Sequence, residues 1–221
     1  MINLAIQSAE SKESFAILKD GKVLSERFLE GRERTSDILG TEIETELKNQ
    51  KLSAKDVKLL TVVTGPGSFT GLKVGVAYAQ GFSYGRNIPV VGITAFEVLA
   101  RQVDVDGTVI SLIFARNLRA YCQIYNKVGE TLTPTSEPQI NSIESLLAKV
   151  PKDSTIVGSA VIEYKAELSK MGFKSFSSDN QILASTSGKI GFERQSEGVD
   201  AFEIKPFYIA EPGVTIKKDQ K

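Results

Sequence analysis

Three apolar stretches open the chain. Asn3-Leu4-Ala5-Ile6-Gln7-Ser8, Ser14-Phe15-Ala16-Ile17-Leu18 and Lys22-Val23-Leu24-Ser25-Glu26-Arg27-Phe28 each predict a strand, and Asp20-Gly21 between the last two signals a tight hairpin. The period then changes to that of a helix. Ile38, Leu39, Ile43 and Leu47 share one face, Thr35 or Ser36 caps the start, and Asp37 suits the positive end of the helix dipole. Ser53 starts a short helical turn before an apolar strand at 59–63. A helix over 69–84, a strand at 88–91 and a helix over 95–101 capped by Thr94 complete the order βββαβαβ.

From Gly107 the pattern begins again. Strands are predicted at 109–114, 120–126 and 131–133, followed by a helix near 143–150, a strand at 155–157, a helix near 162–171 and a strand at 173–176. A second βββαβαβ implies a duplicated α/β fold with a mixed sheet in each half, divided as residues 1–103 and a smaller 104–221. Residues 182–192 predict a terminal helix that packs back on the first half, although Gly188 and Gly191 each weaken it by about 1 kcal/mol. Pro206-Phe207-Tyr208-Ile209 ends the fold. The tail from Pro212, with Lys217, Lys218 and Lys221, reads as a disordered end rather than as a contact for RNA or a third subunit.

Composition narrows the chemistry. In 221 residues, 27 Lys and Arg balance 27 Asp and Glu, so no global field holds a nucleic-acid backbone. There is no histidine, which removes Ser-His-Asp, Cys-His and His-Glu-x-x-His chemistry together with the commonest metal ligand. No serine stands three residues before a lysine, so a Ser-x-x-Lys hydrolase is unsupported. The single Cys122 forms no internal disulfide and, without histidine, no structural zinc site. Glu42, Glu44, Glu46, Asp104 and Asp106 read as solvated charges. With no signal-like start and no apolar run of about 20 residues, the expectation is a soluble cytoplasmic protein without a membrane partner.

The most informative stretch is Thr64-Gly65-Pro66-Gly67-Ser68-Phe69-Thr70-Gly71-Leu72-Lys73-Val74-Gly75, a glycine-rich turn between strand and helix. Gly65 and Gly67 permit backbone angles closed to other residues, and Ser68 or Thr70 can cap the helix. A nucleotide P-loop needs four residues between its glycines and then Gly-Lys-Ser/Thr; Gly67 and Gly71 enclose three, and Leu72 follows. The helix carries two small stripes, Gly71, Gly75 and Ala79, and Ala77, Gly81 and Gly85. Interior glycines are costly in a helix, so two such stripes imply two close neighbours, one of them another subunit. On that reading Gly75→Leu or Ala79→Arg weakens subunit pairing and leaves the monomer folded.

The glycine-turn segment, followed by Ala79-Gln80-Gly81, closely resembles the signature of the bacterial TsaB (YeaZ) family. Leu4-Ala5-Ile6, the hairpin, Thr35, Ile88-Pro89-Val90-Val91-Gly92-Ile93 and Pro206-Phe207-Tyr208 extend the resemblance, which covers the first hundred residues well and the rest in outline. It implies the two-lobed fold of actin, Hsp70 and sugar kinases with a degenerate second lobe. It also implies a noncatalytic subunit that pairs with a homologous catalytic TsaD-like transferase in making N6-threonylcarbamoyladenosine in tRNA. A TsaE-like ATPase joins them, and tRNA is met only through the complex. The pairing surface implied is a bundle of the first two helices, here Ile38, Leu39, Glu42, Gly67, Ser68, Phe69, Thr70, Gly71, Lys73, Val74, Gly75, Ala77, Tyr78 and Gly81. A homodimer through the same helices is expected at high concentration.

Three departures from the family pattern bear on chemistry. Gln7 stands where many relatives have aspartate, Arg34 where they often have histidine, and Phe114-Ala115-Arg116 where they have Asp-Ala-Arg. An amide is a poor magnesium anchor, so no catalytic residue and no bound metal are assigned to this chain. ATP or ADP and a metal could sit in the partner or at the subunit joint. The competing reading is a stand-alone ATP-binding small-molecule phosphotransferase of the same fold class. A peptidase is left without a nucleophile, a base or a metal.

Overall fold

A computed structural model describes residues 1–29 and 35–209. The first sheet is built from β1 (Ile2–Gln7), β2 (Glu13–Lys19), β3 (Lys22–Leu29), β4 (Val57–Gly65) and β5 (Val90–Thr94), in the order β3-β2-β1-β4-β5. Its helices are α1 (Thr35–Asn49), α2 (Phe69–Arg86) and α3 (Ala95–Gln102). The second sheet holds β6 (Gly107–Ala115), β7 (Arg119–Val128), β8 (Thr131–Pro134), β10 (Thr155–Val157) and β11 (Ser175–Phe176), in the order β11-β10-β6-β7-β8, while β9 (Gln139–Ser142) pairs with β7. Helices α4 (Ile143–Leu147), α5 (Ser159–Lys170) and α6 (Ala184–Glu193) complete the described chain, with one 3₁₀ turn at Gln195–Glu197. No described helix is long and apolar enough to cross a membrane.

The duplication read from the pattern holds at the level of topology. In each sheet the first three strands are antiparallel neighbours, and the two later strands add in parallel on the other side of the first. The second copy is the reduced one, with strands of three and two residues and a five-residue helix.

Three apolar layers hold the two sheets. Leu39, Ile43 and Leu47 of α1 and Val76 and Ala79 of α2 cover one face of the first sheet against Leu4, Ile6, Phe15 and Ile17. Phe96, Leu99 and Ala100 of α3 pack between the sheets with Val63, Val109, Ile113 and Ile190 of α6. Leu146, Leu147, Tyr164 and Leu168 of α4 and α5 cover the outer face of the second sheet.

Gly188 and Gly191, which weaken α6 as an isolated helix, explain how it docks. The inner face of the first sheet presents small and polar groups there, and a Cβ on Gly191 would lie 2.0 Å from Thr61 Oγ1, one on Gly188 2.4 Å from Leu18 Cδ1. Asn3 Nδ2 donates to the Gly188 carbonyl at 2.8 Å, and Asn3 Oδ1 accepts from Thr61 Oγ1 at 3.1 Å. The N-terminus of α6 is capped from β3, because the Glu26 carboxylate accepts from the Ser185 amide and hydroxyl at 2.9 and 2.6 Å.

Several boundaries differ from the pattern. The strand expected at 88–91 is displaced to Val90–Thr94, because Asn87 caps α2 in a left-handed conformation and the Ile88 amide still bonds to Ser83. Helix α4 stops at Leu147, with the chain turning through Val150 to Pro151. Only Ser175–Phe176 of the strand expected at 173–176 pairs, since Phe173 turns into the core. Helix α5 begins at Ser159, three residues before the apolar period shows it. Strand β9 carries no pattern of its own; pairing with β7 makes it a strand. Glu46 is not a solvated charge: it is buried, with Asn49 and Gln50 bonded to its carboxylate and Arg27 3.7 Å away. Arg34 and the tail from Pro212 lie outside the described residues.

Candidate functional site

The glycine turn is closed by the chain's own first loop. The Ser68 amide donates to the Ala9 carbonyl at 2.7 Å, the Ser68 hydroxyl accepts from the Gly71 amide at 3.2 Å, and the Leu72 amide bonds to the Ser68 carbonyl. A Cβ on Gly67 would stand 2.1 Å from the Ala9 carbonyl oxygen, one on Gly71 2.1 Å from the Ser8 carbonyl oxygen, and one on Gly75 2.1 Å from Ser8 Oγ. The glycines thus admit the backbone of residues 8–9, and the amides of Ser68, Gly71 and Leu72 are spent within the fold. Gly65 is in the left-handed region, at φ 123°, where the Phe207 carbonyl would lie 2.7 Å from a Cβ.

This geometry separates the two stripes of α2. Gly71, Gly75 and Ala79 are buried against the chain's own first sheet and loop. Ala77, Gly81 and Gly85 are exposed, and Gly81 and Gly85 have nothing within 4 Å of an added Cβ. The Gly75→Leu and Ala79→Arg substitutions therefore strike the monomer's own core and do not leave it folded, contrary to the sequence expectation.

The fourteen residues assigned to the helical surface divide in the same way. Ser68, Phe69, Thr70, Lys73, Ala77 and Gly81 are exposed; Ile38, Glu42, Gly67, Val74 and Tyr78 are half-buried; Leu39, Gly71 and Gly75 are buried. The two helices adjoin, with the Tyr78 ring 3.5 Å from a Cβ placed on Gly40 of α1. Burial and the nearby Glu44 carboxylate raise the Tyr78 hydroxyl pKa. Aromatic pairs flank the exposed face of α2. Phe69 packs on Tyr208 with centroids 5.3 Å apart and carries Lys73 Nζ 3.9 Å above its ring; Tyr84 packs on Phe202 at 5.2 Å, with the two rings 70% and 65% exposed. The sequence reading assigned Tyr84, Phe202 and Tyr208 no place on this surface; only the return of the chain beside α2 brings the latter two to this face.

A second feature lies between the lobes, a cleft of about 600 Å³ walled by the β1–β2 loop and Ser68 on one side and by the end of β6, Tyr121 and the start of α5 on the other. Gln7, at the family's aspartate position, is buried and engaged: its Nε2 donates to the carbonyls of Lys12 and Ile182 at 3.0 and 2.9 Å, and its Oε1 accepts from the Ala9 amide at 2.8 Å. Glu10 lines the cleft, and burial raises its carboxyl pKa against the opposing influence of Ser159 and the Ile182 backbone. Arg116, two residues beyond Phe114, is an exposed side chain of the same lining. No cluster of His, Cys, Asp or Glu suited to a metal occurs among the described residues.

A family model described as TsaD, tRNA N6-adenosine threonylcarbamoyltransferase, matches residues 23–210. The chain is similar to the tRNA threonylcarbamoyladenosine biosynthesis protein TsaB of Buchnera aphidicola subsp. Schizaphis graminum, 30% identical over 174 residues that cover 75% of this chain and 82% of that protein. It is 35% identical to the Escherichia coli K12 protein of the same name over 98 residues, which span 44% of this chain and under half, 42%, of that relative. Among solved structures, YeaZ from Pseudomonas aeruginosa superimposes with a TM-score of 0.78 at 18% identity, covering 94% of this chain and 99% of the other. A ROK family protein from Streptococcus pneumoniae TIGR4 gives 0.51 at 10% identity, covering 89% and 99%. At such identities the two structures speak for fold alone, and that fold is the actin-like, two-lobed one.

Proposed function

Because the chain belongs to the TsaB (YeaZ) family, we propose that it is a cytoplasmic, noncatalytic subunit that pairs with the homologous threonylcarbamoyl transferase and supports formation of N6-threonylcarbamoyladenosine in tRNA. The observation that carries this reading is the solvent face of α2. Ala77, Gly81 and Gly85 leave a bare strip of helix backbone, with Phe69 and Tyr84 at its ends, and that strip admits a second helix at short range. The helix pays for its glycines at 81 and 85 with no contact inside the monomer, which is intelligible if the contact is made by another chain. A TsaE-like ATPase and tRNA join through the complex, and the same face supports a homodimer at high concentration. Any nucleotide or metal belongs to the partner or to the joint between subunits.

The stand-alone phosphotransferase has the cleft between the lobes in its favour, but the residues at the glycine turn speak against it. Gln7 is held by three hydrogen bonds, and the glycine turn is filled by Ala9. Light scattering after size exclusion, on this chain mixed with the transferase subunit of the same organism, tests the pairing. Wild type is expected to elute as a heterodimer and Ala77→Arg as two separate species, each folded by circular dichroism. Pairing that withstands Ala77→Arg and Gly81→Arg together places the interface elsewhere, and two separate peaks with wild type remove the scaffold role.

A further inference from the structure

The cleft between the lobes is too large to be a packing defect, and at about 600 Å³ it matches the size of a small-molecule site. Its chemistry is unsuited to phosphates. The one carboxylate set into its wall, Glu10, has an Oε1 that is shielded from solvent and without a hydrogen-bond partner, while Ser159 and the Ile182 backbone favour its charged form, and among the described residues Glu10 forms no ion pair. A carboxylate oxygen shielded from water without a donor is costly to the fold, and a ligand donor relieves it. The amides of Ser68, Gly71 and Leu72 in the glycine turn are already committed to Ala9 and Ser68.

The opposite wall is apolar. Ile113, Phe114, Tyr121 and Ile162 line it, with Phe114 37% and Ile162 64% exposed, and Phe114 is fixed by its amide bond to Ser159 Oγ at 3.1 Å and by packing on Tyr164 at 5.4 Å. At the mouth Lys12 and Arg116 outnumber Glu163 by one charge, but all three are exposed and screened, whereas Glu10 acts from within the wall.

We propose that this cleft binds a small organic cation, an amine carried on an aromatic or branched aliphatic body, with the ammonium donating to Glu10 and the body against Phe114 and Ile162. The nucleotide expected from the fold class is disfavoured here because a polyphosphate would meet the Glu10 carboxylate and find the Ser68, Gly71 and Leu72 amides occupied. The cleft shares only Gly67 and Ser68 with the helical surface and none of Ala77, Gly81 and Gly85, so its failure and that of the scaffold reading are distinguishable.

Two-dimensional amide NMR on the full chain, titrated with phenethylammonium, 3-phenylpropionate and ATP with magnesium, tests the assignment. Phenethylammonium is expected to shift the amides of Ala9, Glu10, Phe114 and Ser159 saturably, at least tenfold more tightly than 3-phenylpropionate, with ATP giving no shift in that set. Glu10→Gln, which keeps the shape, should weaken the amine at least tenfold, and Phe114→Ala should weaken it without removing the preference for cation over anion. The proposal is overturned if the amine and the acid bind alike, if ATP with magnesium moves the same amides at lower concentration, if Glu10→Gln leaves the amine unaffected, or if none of the three probes saturates.

Discussion

Two glycines ten residues apart on α2 should respond to the same substitution with opposite sign. At Gly81 an added methyl meets nothing within 4 Å, so alanine gains only helix propensity, about 1 kcal/mol. For a chain of this size that is a rise in melting temperature of about 2–4 °C. At Gly71 the methyl would stand 2.1 Å from the Ser8 carbonyl oxygen and 3.2 Å from Glu13 Oε1. A close C···O contact is about 3.3 Å, so the loop backbone must retreat by roughly 1 Å. The loop is not free to do so, because the Ala9 carbonyl next to it is tied to the Ser68 amide and the Ala9 amide to Gln7. Overpacking of that kind costs about 1–3 kcal/mol, and the propensity gain in the first turn is below 1, leaving a net loss of about 1–2 kcal/mol for Gly71→Ala. Urea unfolding of both variants, followed by circular dichroism, reads the midpoints directly. If both alanines move the midpoint in the same direction, the division of α2 into a self-packed and an outward stripe is wrong.

Other outcomes follow from single groups. Glu26→Ala should cost about 2 kcal/mol in urea unfolding, because the carboxylate alone serves the Ser185 amide and hydroxyl at the start of α6; a loss within error would show that water replaces it. Glu10 has a carboxyl pKa raised above the ordinary 4.5 by burial, so the fold favours its protonated form. That contribution is complete below 4.5 and is lost as pH rises through the raised value, so Glu10→Gln should be more stable than wild type at neutral pH and lose that advantage on acidification; a pH-independent difference would contradict this. Burial pushes the Cys122 thiol up to about 12, so the native protein should resist a thiol reagent such as Ellman's at pH 8 and react fully only in denaturant.

The legible part of the fold was the part written in side-chain periodicity. Short apolar runs located β1 to β4, β6 and β7, and hydroxyl caps located α2 and α3, where Ser68 and Thr94 accept from the amides three residues on. What escaped depends on partners distant in sequence. Gln139–Ser142 has neither length nor alternation, and only β7 makes it a strand. Small residues on α2 announce a close neighbour without saying which one, so both stripes read alike until Ser8 and Ala9 are seen to fill one of them. Glu46 looked like its solvated neighbours because Arg27 reaches it from another element. Glu10 was missed as a site residue for a similar reason. Its only local mark is a place in the loop after the first strand, and the cleft that gives it meaning is assembled with residues more than a hundred positions away.

The docking of α6 bears on how the protein is made. This helix comes after both sheets in the chain, yet Gly188 and Gly191 seat it on Ala5, Leu18 and Thr61 of the first sheet, which the ribosome delivers at the outset. Until residue 193 has left the exit tunnel, the part of that sheet around Ala5, Leu18 and Thr61 lacks this helix, and Asn3 lacks its partner at Gly188. Vectorial synthesis therefore cannot finish the first sheet before the second; its completion waits for residues 184–193, and a nascent chain arrested before residue 184 would expose that patch to chaperones.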